Sequence, residues 1–429
     1  MSNVVVFLFH RDLRLEDNIP LQEALDFAKK NDCEVLPVFI FTPQQVGNKA
    51  VVKSIASVSC LIHSLLELDE ELKKKYKSGL CIMYSEADNS KALEKIHKSY
   101  KIKALFETKD YTPFAKAREE NEERTCKKIG AEFHAIDYLY LFTVGSILNG
   151  SGKTYQKFTP FYNASQKFKI PTPEGFVKGS FTASAEVSKI SDLSGSEIQS
   201  KILNKSEYSS ITHIQQIGGR KEGLKLLKSI PKDYDKIRDQ FAATTSHLSV
   251  HLHNGTVSVR EVWHAASNVE FKRQLVWRDF YGHLMNSFDE LYQDKKYSGY
   301  SNFQEWLAHR PKLSKKQQED LDHWKAGTTG IDIVDASMTQ MNQTHYMINR
   351  GRLIVSNYLI KTMKVPWQYG AEYFAEKLLD YDYVNNSMNW LFIAGGFPFS
   401  EAPFRVYNPD NFQKKFDKEK EYIHTWLKK

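Results

Sequence analysis

The stretch LLDYDYVNNSMNWLFIAGG (residues 378–396) combines polar groups with an apolar run. Asp380 and Asp382 alternate with tyrosines, two asparagines follow, and Trp390 stands just before the apolar end. Acids and amides are costly to bury without a partner. This spacing therefore predicts that the stretch holds a polar ligand or pairs with a cation from elsewhere in the chain.

A second cluster lies in TTSHLS (residues 244–249), where the pattern predicts the start of a helix. Thr244, Thr245, Ser246 and Ser249 bring hydroxyls together with the free N–H groups of that helix start. Helix starts of this kind bind phosphate and other anions. Serine and threonine are also the ordinary capping residues of helices, so both interpretations stay open on these residues alone.

The segment RQLVWRDFYGHLM (residues 273–285) has the spacing of one helical face. Gln274, Trp277, Arg278 and Tyr281 follow each other at i, i+3, i+4 and i+7. Such a stripe is often part of a core, but an amide and a guanidinium in the same stripe suit a surface that faces a ligand. Both interpretations remain.

A third helical segment, THYMINRGRLIV (residues 344–355), places Asn349 and Arg350 one turn before Leu353. Arg352 points to a different face of this predicted helix, so it is a candidate partner for an acid of residues 378–396. The alternative is a surface helix whose arginines are solvated.

The elements that must position these groups differ between the two halves of the chain. Apolar strand-like runs such as VVVFLF (residues 4–9) and CEVLPVFIF (residues 33–41) alternate with helical patterns over residues 1–140. This alternation predicts a doubly wound, Rossmann-like α/β domain with a parallel sheet. No glycine-rich phosphate fingerprint follows the first strand, which argues against an ordinary dinucleotide site there.

Residues 141–215 are serine-rich towards their end and weakly periodic, and they predict an interdomain surface linker. From residue 216 to 429, strand signals almost vanish and apolar residues follow helical spacing. The predicted architecture is therefore an α/β domain linked to an all-α domain.

The composition sets broad limits. With 429 residues, of which 41% are hydrophobic, the chain is long enough for two cores, and its net charge of +7 permits a polyanionic partner without requiring one. The spacing of Cys33, Cys60, Cys81 and Cys126 fits neither a metal site nor a disulfide framework. The N-terminus resembles neither a signal peptide nor a membrane span. We expect a soluble intracellular monomer without membrane contact.

Several motifs together resemble the photolyase/cryptochrome family of flavoproteins. HRDLRLEDN (residues 10–18) is similar to the family's N-terminal signature, and KTYQKFTPF (residues 153–161) to the end of its α/β domain. The family's order then continues with TTSHLS, LVWRDFYGHL, WKAGTTGIDIVDASMTQM, NRGRL, DYD with NN and NW, and FRVYNP. The resemblance spans nearly the whole chain apart from the serine-rich segment.

This resemblance implies that the helical domain binds FAD. Asp380 would pair with Arg352, Asp382 would contact the ribityl and isoalloxazine region, and Asn386 would face flavin N5. The residues that match the family's cofactor site are Tyr234, Thr245, Ser246, His247, Leu248, Ser249, Arg278, Arg352, Asp380, Tyr381, Asp382 and Asn386.

The resemblance also implies a reaction: light-driven electron transfer from reduced FAD into a pyrimidine dimer of UV-damaged DNA, which must leave the base stack to reach the flavin. Trp277 and Phe392 would form aromatic walls for the flipped dimer. The residues that match DNA or lesion contacts are Arg238, Gln274, Trp277, Arg278, Tyr281, Asn349, Arg350, Leu353 and Phe392, with Asn386, Gln274 and Asn349 in catalytic positions. The protein would work where DNA is, in a nucleus or nucleoid.

Most relatives reduce the flavin through a chain of tryptophans. Trp390 and Trp367 match its first two members. The third would stand ten residues before Trp324, where this chain has Ser314. Either Trp306 forms that end, or one of the nearby tyrosines Tyr292, Tyr297 and Tyr300 does, or photoreduction is impaired. The sequence leaves all three open.

The same motifs favour one branch of the family. Photolyases of the (6-4) type resemble one another in carrying a histidine at each of the positions of Asn349 and Leu353. This chain has neither histidine, so we predict repair of cyclobutane dimers. Gln274 departs from the usual glutamate, which predicts slower repair or a different lesion. NRGR and LLDYD also resemble the DASH branch, which acts on single strands. A cryptochrome photoreceptor is the other alternative, although little sequence follows the flavin domain. The resemblance leaves room for an antenna chromophore, folate or deazaflavin, which the sequence does not assign.

Overall fold

The structure is a computed structural model that describes residues 2–46, 54–202, 217–291 and 308–428. It contains a five-stranded sheet flanked by helices, followed by a helical half, so the predicted fold class is confirmed. Trp306, Tyr292, Tyr297 and Tyr300, the candidates for the end of the tryptophan chain, lie outside the described residues.

The N-terminal sheet is parallel throughout, with the order β3-β2-β1-β4-β5. The central strands β1 and β2 are continuous apolar runs and are buried on both faces, as parallel strands are, whereas the edge strand β5 is only partly buried. The strands are β1 (Asn3–Leu8), β2 (Glu34–Phe41), β3 (Cys81–Tyr84), β4 (Lys101–Thr108) and β5 (Glu132–Ile136). The helices of this half are α1 (Ile19–Lys30), α2 (Pro43–Val46), α3 (Ile55–Tyr76), α4 (Asn89–Ser99) and α5 (Pro113–Ile129).

The segment predicted as a surface linker is more ordered than its serine content suggested. It contains α6 (Phe158–Ser165), α7 (Ser184–Ile190) and α8 (Gly195–Ile202). Phe158 and Phe161 belong to the core of the helical half, whereas Val187 packs beneath the sheet. The surface interpretation is therefore wrong for these stretches, because isolated apolar residues among the serines find cores on both sides. Residues 203–216 lie outside the described ranges.

The described helices of the C-terminal half surround one apolar core that includes Phe280, Trp324 and Leu359. Local signals begin several of them, for example the capping box of Ser258 with Glu261. They are α9 (Arg220–Lys228), α10 (Tyr234–Ile237), α11 (Ser249–Asn254), α12 (Val259–Ala265), α13 (Val269–Asn286), α14 (Phe288–Leu291), α15 (Lys315–Ala326), α16 (Asp332–Thr344), α17 (Asn349–Asn357) with a π-helical extension (Tyr358–Thr362), α18 (Trp367–Lys377), α19 (Tyr383–Ala394), α20 (Pro409–Phe416) and α21 (Glu421–Leu427).

The loop after β1 joins the two halves. Arg14 donates a 2.9 Å hydrogen bond to the carbonyl of Gly255, and Arg260 pairs with the buried Asp17 at 3.2 Å. Gly255 has φ +66°, and a side chain there would overlap the backbone of Arg11. This close approach, which only glycine permits, carries Arg11 into the helical half.

None of the four cysteines, all of which lie within the described residues, forms a disulfide, and burial raises the pKa of Cys60 to about 12. Within the described residues, no helix has the length and apolar character needed to span a membrane.

Candidate functional site

A cavity of about 230 Å³ opens in the helical half between α11, α17, α18 and α19. Its lining is mixed: amides and one ion pair face aromatic rings such as Phe374. Nine of the predicted site residues meet there, namely Ser249, Asn349, Arg352, Leu353, Asp380, Tyr381, Asp382, Asn386 and Trp390.

The predicted ion pair between Arg352 and Asp380 is present. Arg352 Nη2 lies 3.0 Å from one carboxylate oxygen of Asp380 and 2.9 Å from the other. Arg352 Nε also donates to the carbonyl of Met347 at 2.8 Å, which fixes the guanidinium. The Asp380 side chain is only 2% exposed, against 28% for Arg352, so the acid depends on the arginine more than the reverse.

Asp382 has partners that local sequence did not indicate. Its Oδ1 accepts hydrogen bonds from the backbone N–H of Asn385 at 2.8 Å and from its side-chain amide at 3.0 Å, which caps α19. Its Oδ2 pairs with Arg11 from the loop after β1 and lies 3.7 Å from His253 Nδ1. Burial alone would raise the pKa of Asp382, but Arg11 and His253 hold it well below its usual range.

Asn386 is held in place by α18. Its Nδ2 donates to the carbonyl of Ala371 at 3.1 Å, and the side chain lines the cavity. One turn on, Asn389 donates to the carbonyl of Asn385 at 2.7 Å and accepts from the Tyr281 hydroxyl at 3.4 Å. The amides of α19 are thus fixed before any ligand binds.

The hydroxyl cluster at residues 244–249 does not cap α11. Leu248 occupies the N-cap position without a side-chain capping bond, so the ordinary capping interpretation is wrong here. Thr245 Oγ1 instead lies 3.3 Å from the Tyr346 hydroxyl, and His247, at φ +50°, packs its ring 5.0 Å from that of Tyr346. Ser246 is half-buried beside them, and Ser249 lines the cavity.

Tyr234 is the first residue of α10, which packs against α13. Its ring meets Phe271 edge-on at 5.0 Å, and burial raises the pKa of its hydroxyl to about 12. The phenol therefore stays neutral at physiological pH.

The side chains that were predicted to share one face of α13 contact two different parts of the protein. Trp277 stacks on Phe158 with ring centroids 3.7 Å apart and meets Phe392 edge-on at 6.4 Å. Arg278 donates to the carbonyl of Leu139 at 3.1 Å and lies over the Tyr140 ring, and its charge helps to lower the pKa of Asp382 on the cavity wall. That carbonyl and the aromatic face hold Arg278 at the contact between the two halves.

Gln274 and the two other predicted arginines form a charged cluster with acids that sequence reasoning missed. Gln274 Nε2 donates to Glu270 Oε1 at 3.0 Å, and Glu270 also pairs with Arg238. Arg350 holds Asp239 through two contacts, of 2.8 Å from Nε and 2.6 Å from Nη2. The sequence did contain a signal for these pairs, namely an acid close to each predicted contact. Asp239 directly follows Arg238 in IRDQ, and Glu270 of VEFKR stands four residues before Gln274.

The tryptophans lie deep in the helical core. Trp390 is buried at the cavity wall, and Trp367, at the start of α18, belongs to the same core. Trp324 is fully buried, with its ring centroid 6.3 Å from that of Trp390. The sequence pattern assigned no role to Trp324, whose position only located Ser314.

A second cavity, of about 170 Å³, lies at the carboxyl edge of the sheet. His10, Asn89 and Arg118 line it, and Glu107 and Glu122 lie beneath. His10 Nε2 lies 2.7 Å from Glu107, and Asn89 donates to Glu122 at 2.6 Å. Burial lowers the pKa of His10 to about 4 and raises those of Glu107 and Glu122 to about 7 and about 8. The sequence pattern gave no indication of this cluster.

Comparisons with known proteins agree with this geometry. Residues 5–177 match the family model described as DNA photolyase, and residues 271–429 match the FAD binding domain of DNA photolyase. The solved archaeal photolyase of Sulfolobus tokodaii, which contains two FAD molecules, is 34% identical, with a TM-score of 0.82 over 99% of this chain and 90% of that one.

Two curated relatives mark the range of the family. The deoxyribodipyrimidine photo-lyase of Alkalihalophilus pseudofirmus is 27% identical over 98% of this chain and 86% of its own length. Cryptochrome-1 of Arabidopsis thaliana is also 27% identical, over 98% of this chain but 62% of its own length. With a matching α/β domain, a matching FAD-binding domain and this fold, the chain belongs to the photolyase/cryptochrome family.

Proposed function

We propose that the chain repairs cyclobutane pyrimidine dimers in UV-damaged DNA by light-driven electron transfer. The observation that carries this proposal is the cavity in which the Asp380–Arg352 pair, the α19 amides and Trp390 converge. The aromatic pair of Trp277 and Phe392 stands on the adjoining α13–α19 contact. A cofactor cavity beside an aromatic cleft is what such a repair enzyme needs.

The cavity lining fits FAD. Planar aromatic walls suit an isoalloxazine, and the fixed amides and the Arg352 guanidinium offer hydrogen bonds to its polar edge and to phosphates. Because Asn386 Nδ2 is engaged with Ala371, its Oδ1 is the atom left to accept from the N5–H group of a reduced flavin. Reduced FAD, when bound, supplies the light-activated electron. The protein residues supply position and polarity.

The lesion would be read outside the base stack. A flipped dimer can pack against aromatic rings, which contribute about 1–3 kcal/mol per base, and Trp277 and Phe392 stand nearly perpendicular at 84° to form two walls. Asn349, at the start of α17 on the cavity wall, offers an amide to the pyrimidine edge. Arg238 and Arg350 are the candidate phosphate contacts.

The residue types favour cyclobutane dimers over (6-4) products. Repair of a (6-4) product requires a proton donor at the lesion, and neither Asn349 nor Leu353 on the cavity wall can supply one. Cyclobutane dimer cleavage needs no protein proton. Gln274 lacks the charge of the family's usual glutamate, so we expect a reduced yield.

The second cavity supports a further chromophore. It opens at the carboxyl ends of β1, β2 and β4, where doubly wound sheets bind ligands. Phe114 offers an aromatic wall, and Asn89 and Arg118 offer polar contacts. The relative from S. tokodaii is named for a second FAD as a light-harvesting cofactor. We propose that a planar antenna chromophore occupies this cavity.

The competing function is that of a photoreceptor, since one relative is named a cryptochrome. The test illuminates the reduced, FAD-loaded protein with single- and double-stranded oligonucleotides that carry either lesion, and separates the products by chromatography. Cyclobutane repair without (6-4) repair is expected. Repair confined to single strands would assign the DASH branch, and FAD photochemistry without any repair would support the photoreceptor.

A matched pair of variants tests the lesion contact. Asn349→Ala should weaken binding to dimer-containing DNA about tenfold, because it removes the hydrogen-bonding amide, while binding to undamaged DNA changes little. Asn163→Ala, at an exposed asparagine of α6, is the control. Equal losses on damaged and undamaged DNA would show that Asn349 touches only the backbone.

A further inference from the structure

The end of the tryptophan pathway is the feature that the family resemblance does not explain. Ser314 stands at the expected position and caps α15 through the N–H of Gln317. A serine hydroxyl is much harder to oxidise than an indole, so it cannot donate an electron to an oxidised tryptophan. Another aromatic residue must therefore take part if electrons reach Trp390 efficiently.

Trp390 has an indole neighbour across the core. The rings of Trp390 and Trp324 meet edge-on, with centroids 6.3 Å apart and an angle of 70°. Phe374 stacks on Trp324 at 6.1 Å and meets Trp390 edge-on at 5.1 Å. The three rings form a continuous aromatic contact that begins at the cavity wall, and electron transfer between rings in contact is fast compared with transfer across a gap.

The surroundings of Trp324 suit an indole that holds a positive charge. Its side chain is fully buried, and Nε1–H donates to the carbonyl of Val355 at 2.9 Å. A carbonyl is too weak a base to remove the N–H proton, but its dipole stabilises a cation in a medium of low dielectric constant. An oxidised Trp324 therefore keeps its proton.

The next ring along this path is a poorer donor. Tyr373 lies 5.9 Å from Trp324, and its hydroxyl donates to Asn342 Oδ1 at 2.7 Å, which is no base. The ammonium groups of Lys325 and Lys377 lie 5.1 Å and 5.6 Å from its ring centroid and disfavour a further positive charge there. The charge therefore rests on Trp324 and does not move on to Tyr373.

We propose that Trp324 is a second electron donor to oxidised Trp390, in parallel with Trp367. One electron moves from Trp324 to Trp390, no bond forms or breaks, and no proton is transferred. Bound FAD, when excited by light, would be the oxidant of Trp390. Because Trp324 is fully buried, no soluble reductant contacts it, and the same electron would return from the flavin when the radical pair recombines. This inference rests on the proposed function, because it requires FAD beside Trp390.

The test is flash photolysis of the FAD-loaded protein in the oxidised state, with the yield and lifetime of the tryptophan-radical absorbance as the readout. The parent is compared with Trp367→Phe, Trp324→Phe and the double variant. Trp426→Phe, at a half-buried tryptophan of α21 that packs on Tyr422, is the control. FAD content and the thermal midpoint are measured for every protein.

We expect Trp367→Phe to keep a measurable long-lived radical, and the double variant to lower that yield about tenfold further, because parallel donors compensate for each other. Equal yields in Trp367→Phe and the double variant would overturn the proposal. So would complete loss of the radical in Trp367→Phe alone.

A second variant guards against failure of Trp324→Phe to fold. Trp324→Tyr keeps an aromatic ring, but oxidation of its phenol requires loss of a proton that the Val355 carbonyl does not accept, so the same loss of yield is expected. A long-lived radical of parental yield in this variant, combined with Trp367→Phe, would contradict the proposal. Absence of FAD from the parent would instead refute the proposed function.

Discussion

At the scale of single residues, the cavity depends on charges that are buried unequally. Asp380 is 2% exposed and Arg352 is 28% exposed, although they share one ion pair. Removing one partner of a buried pair leaves the other uncompensated. The cost therefore depends on which partner stays behind: a stranded Asp380 is shielded from water, whereas a stranded Arg352 is partly hydrated.

This asymmetry gives a prediction for stability. Arg352→Ala should lower the free energy of unfolding by about 3 kcal/mol, and Asp380→Asn by about 1 kcal/mol. Urea unfolding of both proteins without FAD measures the difference. Lys316→Ala breaks an exposed pair with Asp320 and is the control, with no measurable loss expected because exposed pairs contribute little. Equal losses for the two site variants would show that the acid is not shielded.

At the scale of elements, the packing of α18 against α19 positions the cavity wall. Gly370 of α18 lies against the indole of Trp390: a Cβ atom at this position would come within 2.2 Å of Trp390 Cη2 and within 2.7 Å of Leu359 Cδ2. The absence of a side chain thus allows the two helices to approach. Asn386 on α19 is fixed to Ala371 of α18 by the same contact.

Gly370→Ala should therefore destabilise the protein, although alanine favours a helix over glycine by about 1 kcal/mol. Overpacking costs about 1–3 kcal/mol, and the displaced indole should alter the tryptophan fluorescence spectrum. Thermal unfolding followed by circular dichroism measures the stability. Gly150→Ala, where a Cβ meets no atom within 4 Å, should change neither property. A more stable Gly370→Ala protein would refute the close contact.

The carboxyl edge of the sheet gives a prediction for pH. Burial raises the pKa of Glu122 from 4.5 to about 8, so the folded protein keeps a proton that the unfolded chain loses. Stability from this group is complete below the unfolded pKa and falls as pH rises towards the folded value. Glu122→Gln, which keeps an acceptor for Asn89, should lose less stability than the parent between pH about 5 and about 8.

Urea unfolding at the two pH values compares Glu122→Gln with Glu120→Gln, an exposed glutamate of the same helix α5. Glu120→Gln should follow the parent. The same pH dependence in all three proteins would mean that Glu122 does not retain its proton in the folded state.

At the scale of the whole molecule, the positive charge available to DNA is smaller than the sequence suggests. The net charge is +7, but Arg350 and Arg238 are already paired with Asp239 and Glu270. A phosphate must compete with these carboxylates. The acids therefore weaken sequence-independent binding and leave recognition to the lesion contacts.

Asp239→Asn should release Arg350 for phosphate, whereas Arg238 keeps its pair with Glu270. We expect tighter binding to undamaged DNA and a plot of log affinity against log salt that is steeper by about 1, the value for one added phosphate contact. Fluorescence anisotropy at several salt concentrations measures both. Asp322→Asn, an equal charge change on the exposed side of α15, is the control. Equal slopes for the two variants would show only a general charge effect.

The sequence by itself determined the two-part architecture and the type of chemistry. A buried parallel strand is a continuous apolar run, and in a helix the apolar residues recur every three to four positions, so both signals are local. All five strands lie where strand–helix alternation was predicted. Residue types made Arg352 a candidate partner for an acid of residues 378–396, because a buried acid requires a cation, and the family resemblance selected Asp380.

Only the tertiary structure decided which residues share a neighbourhood across the chain. Arg11 reaches Asp382 because the loop after β1 passes against Gly255. Arg278 lies over Tyr140, a contact across the two halves that the periodicity of its helix did not indicate. Trp324 and Trp390 meet because their helices pack around one core. Such contacts depend on how elements cross in space, and the periodicity of a single element contains no information about that.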